Sequence, residues 1–184
     1  MLELSGHRLF SIMETERLIF RQYQEEDKDA LIQLFTDVDV MKHVGDGVVT
    51  TEEVEKIWTN IFEKYYAKNI NSIWIIFAKD DNRHIGHATL SPRSTKKEDW
   101  ELSYILRKEE WGKGFATEIA RKIVDYGFNE IELNEIYATI DDDHFNSIKV
   151  LEKIGMKFER FEYDEQGRYS VYVLSKKWSV AGGQ

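Results

Sequence analysis

Hydrophobic residues recur along the chain at two spacings, one typical of strands and one typical of helices. Short apolar runs between turn-rich segments predict seven strands, at residues 17–23, 72–79, 84–90, 100–106, 135–140, 158–163 and 168–174. Apolar positions three and four residues apart predict helices at residues 26–35, 117–128 and 146–154. A further helix is predicted after Thr50, because Thr50 and Glu53 have the spacing of a capping box. The predicted order is therefore β-α-α-β-β-β-α-β-α-β-β.

This order of elements predicts a mixed sheet. Three consecutive strands favour an antiparallel meander, and the strand–helix–strand unit implies one parallel pair. The fold class is α/β (or α+β), with a single domain over residues 13–178 of the 184. Because the stretch from Met13 looks like a natural start, residues 1–12 are interpreted as a possible N-terminal extension and residues 179–184 as a C-terminal tail.

Composition argues against several classes of function. The chain has no cysteine, which rules out disulfides, thiolate metal sites and a cysteine nucleophile, and which is compatible with a cytoplasmic location. Its longest apolar runs are too short to cross a bilayer, and its five histidines lack metal-ligand spacing. We therefore expect neither a membrane partner nor a metal. The net charge of −9 argues against nucleic acid binding and suits a cationic partner, although solubility alone would also explain it.

The segment between the predicted strand at 100–106 and the next helix has the features of an anion site. Its sequence from residue 106 to 118 is LRKEEWGKGFATE. Gly112 and Gly114 let the backbone approach a ligand closely, and the start of the helix offers unpaired N–H groups and a partial positive charge. Lys113 adds a full charge, so a pyrophosphate is the expected ligand. The spacing fits neither a Walker A loop nor the dinucleotide pattern, which needs glycine where Thr117 stands.

Two motifs resemble the GNAT superfamily of N-acetyltransferases. Residues 111–116, WGKGFA, resemble its pyrophosphate loop, and residues 146–156, NSIKVLEKIGM, resemble a second block in the branch of the ribosomal-protein-alanine N-acetyltransferases. Residues 14–19 and the pair Ile85-Gly86 resemble two strands of the same branch. The resemblance extends over about residues 14–176. It implies a GNAT-type fold: a mixed, twisted sheet of about seven strands with helices on both faces, in which the strands at 100–106 and 135–140 are parallel and splay apart.

The resemblance also implies acetyl-CoA as the acyl donor and a set of residues that bind it. These are Ile105, Leu106, Arg107, Trp111, Gly112, Lys113, Gly114, Phe115, Ala116, Thr117, His144 and Asn146. His144 occupies the place of the branch's asparagine and Asn146 lies nearby, so which of the two contacts the pantetheine arm stays open. Ser147 is the serine that this branch offers to protonate the CoA thiolate, since the tyrosine of other branches falls on Leu151. The alternative is that Ser147 only caps its helix.

Transfer to an amine also requires a group that removes a proton. A protonated alkyl amine has a pKa of about 10.4 and no lone pair, so a proton must leave before or during attack. Glu101, on the strand before the loop, is the candidate base, directly or through water; the alternative is an ordinary solvated side chain. His43, His87 and His144 are also chemically suitable. Seven late acidic residues would attract a cationic acceptor: Asp141, Asp142, Asp143, Glu159, Glu162, Asp164 and Glu165.

The predicted function is therefore that of an N-acetyltransferase, which moves an acetyl group from acetyl-CoA to a primary amine by direct attack in a ternary complex. The alternative is a non-catalytic acyl-CoA binding or sensing module. The expected acceptor is a small molecule or a protein N-terminus, and the protein is expected to be a monomer or a homodimer.

Overall fold

Eight strands joined in one sheet form the centre of the protein. The computed structural model describes residues 12–177 except 43, 46, 69, 71, 94, 95, 97 and 166. The strands are β1 (Met13–Glu14), β2 (Leu18–Arg21), β3 (Ile73–Ala78), β4 (His84–Pro92), β5 (Trp100–Leu106), β6 (Glu135–Asp141), β7 (Lys157–Asp164) and β8 (Gly167–Ser175). The helices are α1 (Lys28–Phe35), α2 (Val38–Met41), α3 (Thr51–Asn60), α4 (Phe115–Asn129) and α5 (Phe145–Lys153). Of the predicted N-terminal extension only residue 12 is described, and the C-terminal tail at 179–184 lies outside the described residues.

The strands lie across the sheet in the order β1-β2-β3-β4-β5-β6-β8-β7. Neighbouring strands are antiparallel except β5 and β6, which are parallel and are registered at the pair Glu101 and Tyr137. Beyond that pair the two strands separate, and side chains of both line the gap. The predicted mixed sheet with one parallel pair that splays apart is confirmed.

Apolar side chains cover both faces of the sheet. In β3 the side chains alternate, so that Trp74 and Ile76 pack in the cluster that includes α4 and α5, while Ile73 and Ile75 pack in the cluster formed with α1, α2 and α3. A strand buried on both faces needs a continuous hydrophobic run, which explains its sequence IWIIFA. The predicted placement of helices on both faces is confirmed.

The helix predicted from the Thr50 capping box begins as expected. The Thr50 N–H donates to Glu53 Oε2 at 2.7 Å, and the Glu53 N–H donates to Thr50 Oγ1 at 3.3 Å. These reciprocal bonds satisfy two N–H groups at the start of α3. Helix α3 continues as a π-helical segment at Ile61–Tyr65, which was not predicted.

Two further elements were missed. Strand β1 has two residues and pairs with β2, so the sheet has eight strands where seven were predicted. Helix α2 has four residues, and it is held by Asp37, whose carboxylate accepts from the N–H groups of Asp39 and Val40. Both elements are too short to show the hydrophobic periodicity by which strands and helices are predicted. Within the described part of the chain, no helix combines the length and apolar character needed to cross a bilayer.

Candidate active site

Two adjoining cavities open where β5 and β6 separate. The larger has a volume of about 630 Å³ and extends from the start of α4 along β5 to the start of α5. The smaller, of about 320 Å³, lies between Glu101 on β5 and Asp141 at the end of β6. The residues that line both cavities, and so mark where they meet, are Val44, Tyr104, His144 and Ser147.

The loop before α4 has the backbone of an anion site. Gly112 and Gly114 have left-handed φ values of +73° and +83°, a conformation that residues with a Cβ resist. Gly114 is the N-cap of α4, so the N–H groups of Phe115, Ala116 and Thr117 belong to the first turn and have no partner within the helix. These three residues line the larger cavity. Their N–H groups and the positive end of the 15-residue helix therefore favour an anion there.

Arg17, between β1 and β2, holds this loop from outside. Its Nη1 donates to the Lys113 carbonyl at 3.0 Å, its Nε donates to Glu118 Oε2 at 2.7 Å, and the guanidinium lies over the Phe115 ring. The Thr15 hydroxyl donates to Glu118 Oε1 at 2.5 Å. Burial acts to raise the pKa of Glu118, but the hydrogen bonds from Thr15 and Arg17 outweigh it and lower that pKa. The first turn of α4 is thus fixed to the N-terminal strands.

Two side chains predicted to bind CoA are engaged by acidic neighbours. Lys113 Nζ lies 3.1 Å from Glu110 Oε2, and Arg107 Nε lies 3.6 Å from Glu109 Oε2. Burial acts to raise the pKa of Glu110, but hydrogen bonds from Arg83 and Lys113 hold it below its usual value. Neither Arg107 nor Lys113 is among the residues that line the two cavities. The lysines that do line the larger cavity are Lys42 and Lys108, of which Lys108 pairs with Asp39, so the backbone N–H groups at the start of α4 share this cavity with other cations than those predicted.

The remaining residues predicted to bind the donor lie together along the larger cavity. Ile105, Leu106, Trp111 and Asn146 are all in its lining. The Trp111 Nε1–H donates to the Leu106 carbonyl at 3.0 Å, which fixes the indole at the mouth. Behind this wall, a Cβ on Gly86 would lie 2.1 Å from the Ile105 carbonyl oxygen, so β4 and β5 can approach this closely only with glycine there.

His144 and Ser147 lie at the start of α5, where the two cavities meet. Ser147 Oγ is 3.3 Å from His144 Nε2. The N-cap of α5 is His144, and Ser147 is the third residue of the helix, so the interpretation of Ser147 as the N-cap is wrong. Tyr104 reaches the same point from β5. Its hydroxyl is buried and forms no hydrogen bond of normal geometry with the described residues, and burial raises its pKa while the Ser147 side chain acts in the opposite direction.

Glu101 lies in the wall of the smaller cavity and bridges the two separating strands. Its Oε1 accepts from the Thr139 N–H at 3.2 Å and from the Thr139 hydroxyl. Because β5 and β6 have parted at this level, the carboxylate replaces the strand partner that the Thr139 N–H would otherwise have. Arg93, only 3% exposed, places its Nε 3.6 Å from Glu101 Oε2. The predicted base, Glu101, is therefore a carboxylate fixed in position by Thr139 and Arg93, and 25% of its side chain is exposed.

The predicted acidic cluster is partly neutralised. Asp142 pairs with Arg168, Glu159 with Arg160, and Glu162 with both Arg93 and Arg160. Burial acts to raise the pKa of Glu162, but hydrogen bonds from Arg93, Arg160 and Tyr169 lower it to about 2. Asp141 and Asp164 line the smaller cavity together with Glu101. The negative potential at this cavity therefore comes from fewer carboxylates than the sequence suggested.

Of the other two candidate histidines, the one that the structure describes, His87, does not join the site. His87 lies in the core, where its Nδ1 is 2.8 Å from the Tyr23 hydroxyl, and burial lowers its pKa to about 3. It lines neither cavity. His43 lies outside the described residues. In the described ranges, no group of three or more His, Asp or Glu side chains could hold a metal ion.

The residues of the site that were not predicted include Arg17, Arg93, Tyr104 and Thr139. Arg17, Arg93 and Thr139 act through contacts between residues far apart in the chain, such as that of Arg93 with Glu162. No local sequence pattern predicts such a contact. Tyr104 had a usable signal, because it lies on the predicted strand between Glu101 and the phosphate loop.

Comparison with known proteins agrees with this geometry. The family model described as Acetyltransferase (GNAT) domain matches residues 17–157. The uncharacterized N-acetyltransferase YoaA of Bacillus subtilis is 31% identical over 91% of this chain and 97% of its own. The ribosomal-protein-S5-alanine acetyltransferase of Vibrio fischeri has a similar fold, with a TM-score of 0.74 at 16% identity over 91% of this chain and 98% of that one. Spermidine N-acetyltransferase from Vibrio cholerae, in complex with CoA and spermine, also has a TM-score of 0.74, at 16% identity over 90% of this chain and 99% of that one.

Proposed function

The chain belongs to the acetyltransferase (GNAT) domain family and is an acetyltransferase, and from this premise we propose that it transfers an acetyl group from acetyl-CoA to a primary amine. The observation on which the proposal rests is the junction of the two cavities. The larger begins at the N-terminus of α4 and the smaller is walled by carboxylates, and they meet at Ser147. A donor and an acceptor can therefore occupy the protein together.

The larger cavity fits the donor. The N–H groups of the first turn of α4 would bind the pyrophosphate of acetyl-CoA, and Gly112 and Gly114 let it approach the backbone. The pantetheine arm would then follow β5 past Ile105 and Leu106 into the gap between β5 and β6. This course brings the thioester to Ser147, whose hydroxyl would protonate the departing thiolate.

The smaller cavity fits a cationic acceptor. Its lining contains three carboxylates, those of Glu101, Asp141 and Asp164, and one guanidinium, that of Arg93. An ammonium group is attracted to such a surface, and Glu101 would receive its first proton through a water molecule. The amine would then attack the thioester directly in a ternary complex, without an acetylated enzyme. A polyamine is a reasonable member of this class, since the structurally similar spermidine N-acetyltransferase from Vibrio cholerae forms a complex with spermine.

The test is CoA release measured with a thiol reagent. Acetyl-CoA is mixed with the protein and a panel of amines: a polyamine, an amino sugar, an amino-acid analogue and a peptide with a free N-terminus. We expect CoA release that requires the amine and is faster with cationic acceptors. Tight acetyl-CoA binding without release for any amine would contradict the proposal and favour the alternative, a non-catalytic acyl-CoA binding or sensing module.

The proposal extends to the setting of the reaction. We assign catalysis to one domain at residues 13–178, active as a monomer or homodimer in the cytoplasm. The chain has no cysteine and therefore no need of an oxidising compartment. Sedimentation of the purified chain and its fractionation from cells would test these assignments directly.

A further inference from the structure

The side chains at the junction of the two cavities form a connected pair of proton carriers. Ser147 Oγ is 3.3 Å from His144 Nε2, and both residues line both cavities. A serine hydroxyl can give a proton only if it regains one, and an imidazole can both accept and donate near neutral pH. The pair therefore lies between the cavity proposed for the amine and the cavity proposed for the thioester.

We propose that His144 and Ser147 act as a relay that carries a proton from the attacking amine to the departing CoA thiolate. The proposal deepens the proposed function and rests on it. Neutral amine nitrogen attacks the thioester carbonyl carbon, so a C–N bond forms and the nitrogen becomes positively charged. As the C–S bond breaks, its electron pair leaves with the sulfur.

The protons balance through the two side chains. The His144 imidazole accepts the proton that the nitrogen loses, and the Ser147 hydroxyl donates its proton to the sulfur. The imidazolium then returns a proton to Ser147 Oγ, which restores both groups. The products are the amide and CoA thiol. The relay needs no other reactant, and Glu101 is left to remove only the earlier proton from the ammonium.

The charges around His144 suit this role. The ionisable side chains that share the smaller cavity with it are Arg93, Glu101, Tyr104, Asp141, Asp164 and Tyr169. Those in the larger cavity are Asp39, Lys42, Lys108 and Glu110, of which Lys108 pairs with Asp39 at 2.6 Å and Glu110 pairs with Lys113. Carboxylates thus predominate in the smaller cavity, where an imidazolium would form transiently, and they favour the charged form.

Tyr104 is the competing proton donor. Its hydroxyl is buried beside Ser147 and keeps its proton, because burial raises its pKa. The Ser147 side chain acts on the Tyr104 pKa against the effect of burial, so the two hydroxyls lie close together and their roles must be separated by substitution. A Tyr104→Phe variant therefore serves as the matched comparison: it removes one hydroxyl at the same junction but leaves His144 and Ser147 in place.

The test is a double-mutant cycle on turnover at saturating acetyl-CoA and amine, using His144→Asn, Ser147→Ala and the double variant. Each single change should lower kcat about tenfold to a hundredfold, and the double variant should be no slower than the slower single one, because both remove the same relay. Affinity for acetyl-CoA, measured by calorimetry, should stay within about threefold of the parent. Tyr104→Phe should lower kcat by less than either single change.

The pH dependence of kcat supplies a second readout. The relay needs neutral His144, so kcat should fall toward low pH with a midpoint that stays in place when the acceptor is replaced by an amine of different pKa. Because Glu101 must also be unprotonated to act as the base, an acidic limb can persist in His144→Asn, but its midpoint should differ from that of the parent, whereas Tyr104→Phe should keep the parent's midpoint. Multiplicative losses in the double variant, or a loss of acetyl-CoA affinity with kcat preserved, would overturn the relay and leave the acetyltransferase standing. A parent protein that binds acetyl-CoA and acetylates no amine would overturn the proposed function and the relay with it.

Discussion

Replacing Gly114 by valine tests the anion site at its most restricted position. Gly114 has φ +83° and caps α4, and the nearest atom to an added Cβ would be Arg17 Nη2 at 3.6 Å. Space is therefore available, and the obstacle is the backbone conformation. A β-branched residue is a clear outlier at positive φ, so the loop would have to leave the left-handed region and turn the first N–H groups of α4 away from the cavity.

The expected magnitudes follow from this geometry. A left-handed residue other than glycine costs about 1–2 kcal/mol of stability, which lowers the melting temperature by about 2–8 °C for a chain of this size. A hydrogen bond to a charged group contributes about 1.5–3 kcal/mol, so loss of two N–H donors to the pyrophosphate should weaken CoA binding about a hundredfold or more. Gly155→Val is the matched control, because Gly155 has φ +92° and its added Cβ would meet Leu174 at 3.7 Å, outside both cavities.

The assay is calorimetric titration of each variant with CoA, together with thermal unfolding. Both variants should lose similar stability, and only Gly114→Val should lose CoA affinity. If Gly114→Val bound CoA within about threefold of the parent, or if Gly155→Val lost affinity equally, the assignment of the phosphate loop would be wrong.

Three further predictions concern catalysis, charge and pH. Ser147→Ala should lower kcat about tenfold to a hundredfold and leave acetyl-CoA affinity unchanged, which stopped-flow turnover and calorimetry separate; an equal loss in binding would make Ser147 a positioning residue. For a polyamine acceptor, kcat/KM should fall as salt rises from about 0.01 to about 0.15 M, because the screening length shortens from about 30 to about 8 Å. Asp141→Asn with Asp164→Asn should flatten this dependence, and Glu152→Gln with Glu165→Gln, which changes the net charge equally but removes no carboxylate from the cavity lining, should flatten it less. Burial lowers the pKa of His87 from its ordinary value of 6.5 to about 3. Between these two values the unfolded chain binds a proton that the folded chain does not, so the free energy of unfolding decreases as the pH is lowered from 6.5 towards 3. Measured by urea unfolding, the decrease in the free energy of unfolding from pH 7 to about 4.5 should be about 3 kcal/mol smaller in His87→Gln than in the parent. The same dependence of this free energy on pH in both proteins would contradict the burial argument.

Much of the fold could be predicted because its signals are local. The capping box of Thr50 and Glu53, the apolar run of β3 and the Gly112–Gly114 spacing each occupy a few consecutive residues, and each has its expected structure. The order of strands and helices then limited the topology to a mixed sheet. What could not be predicted locally was which face of β3 meets which helices, since both faces are equally apolar.

The candidate site was predictable to a smaller extent. Glu101 was selected for its place on the strand, but its hydrogen bonds with Thr139 depend on how far β5 and β6 part, which no pattern in either strand specifies. The acidic cluster was counted from the sequence as seven free charges. Three arginines neutralise three of these carboxylates. Arg168 and Arg93 reach Asp142 and Glu162 from distant parts of the chain, which no local pattern shows, whereas the pair of Glu159 with Arg160 joins adjacent residues and could have been predicted.

The contact between Arg17 and the start of α4 has a consequence for the order of events in folding. Arg17 and Glu118 are separated by 101 residues, so their contact closes most of the chain into a loop and forms late relative to the local hairpins. During synthesis Arg17 leaves the ribosome long before the segment that it will hold. If the loop binds CoA as we propose, the ability to bind it is acquired only when the beginning of the domain has docked on α4. A nascent or truncated chain without that docking would be able to form much of the sheet, yet it would leave the loop before α4 unsupported. CoA binding, if it takes place at this loop, would then report that the domain has closed.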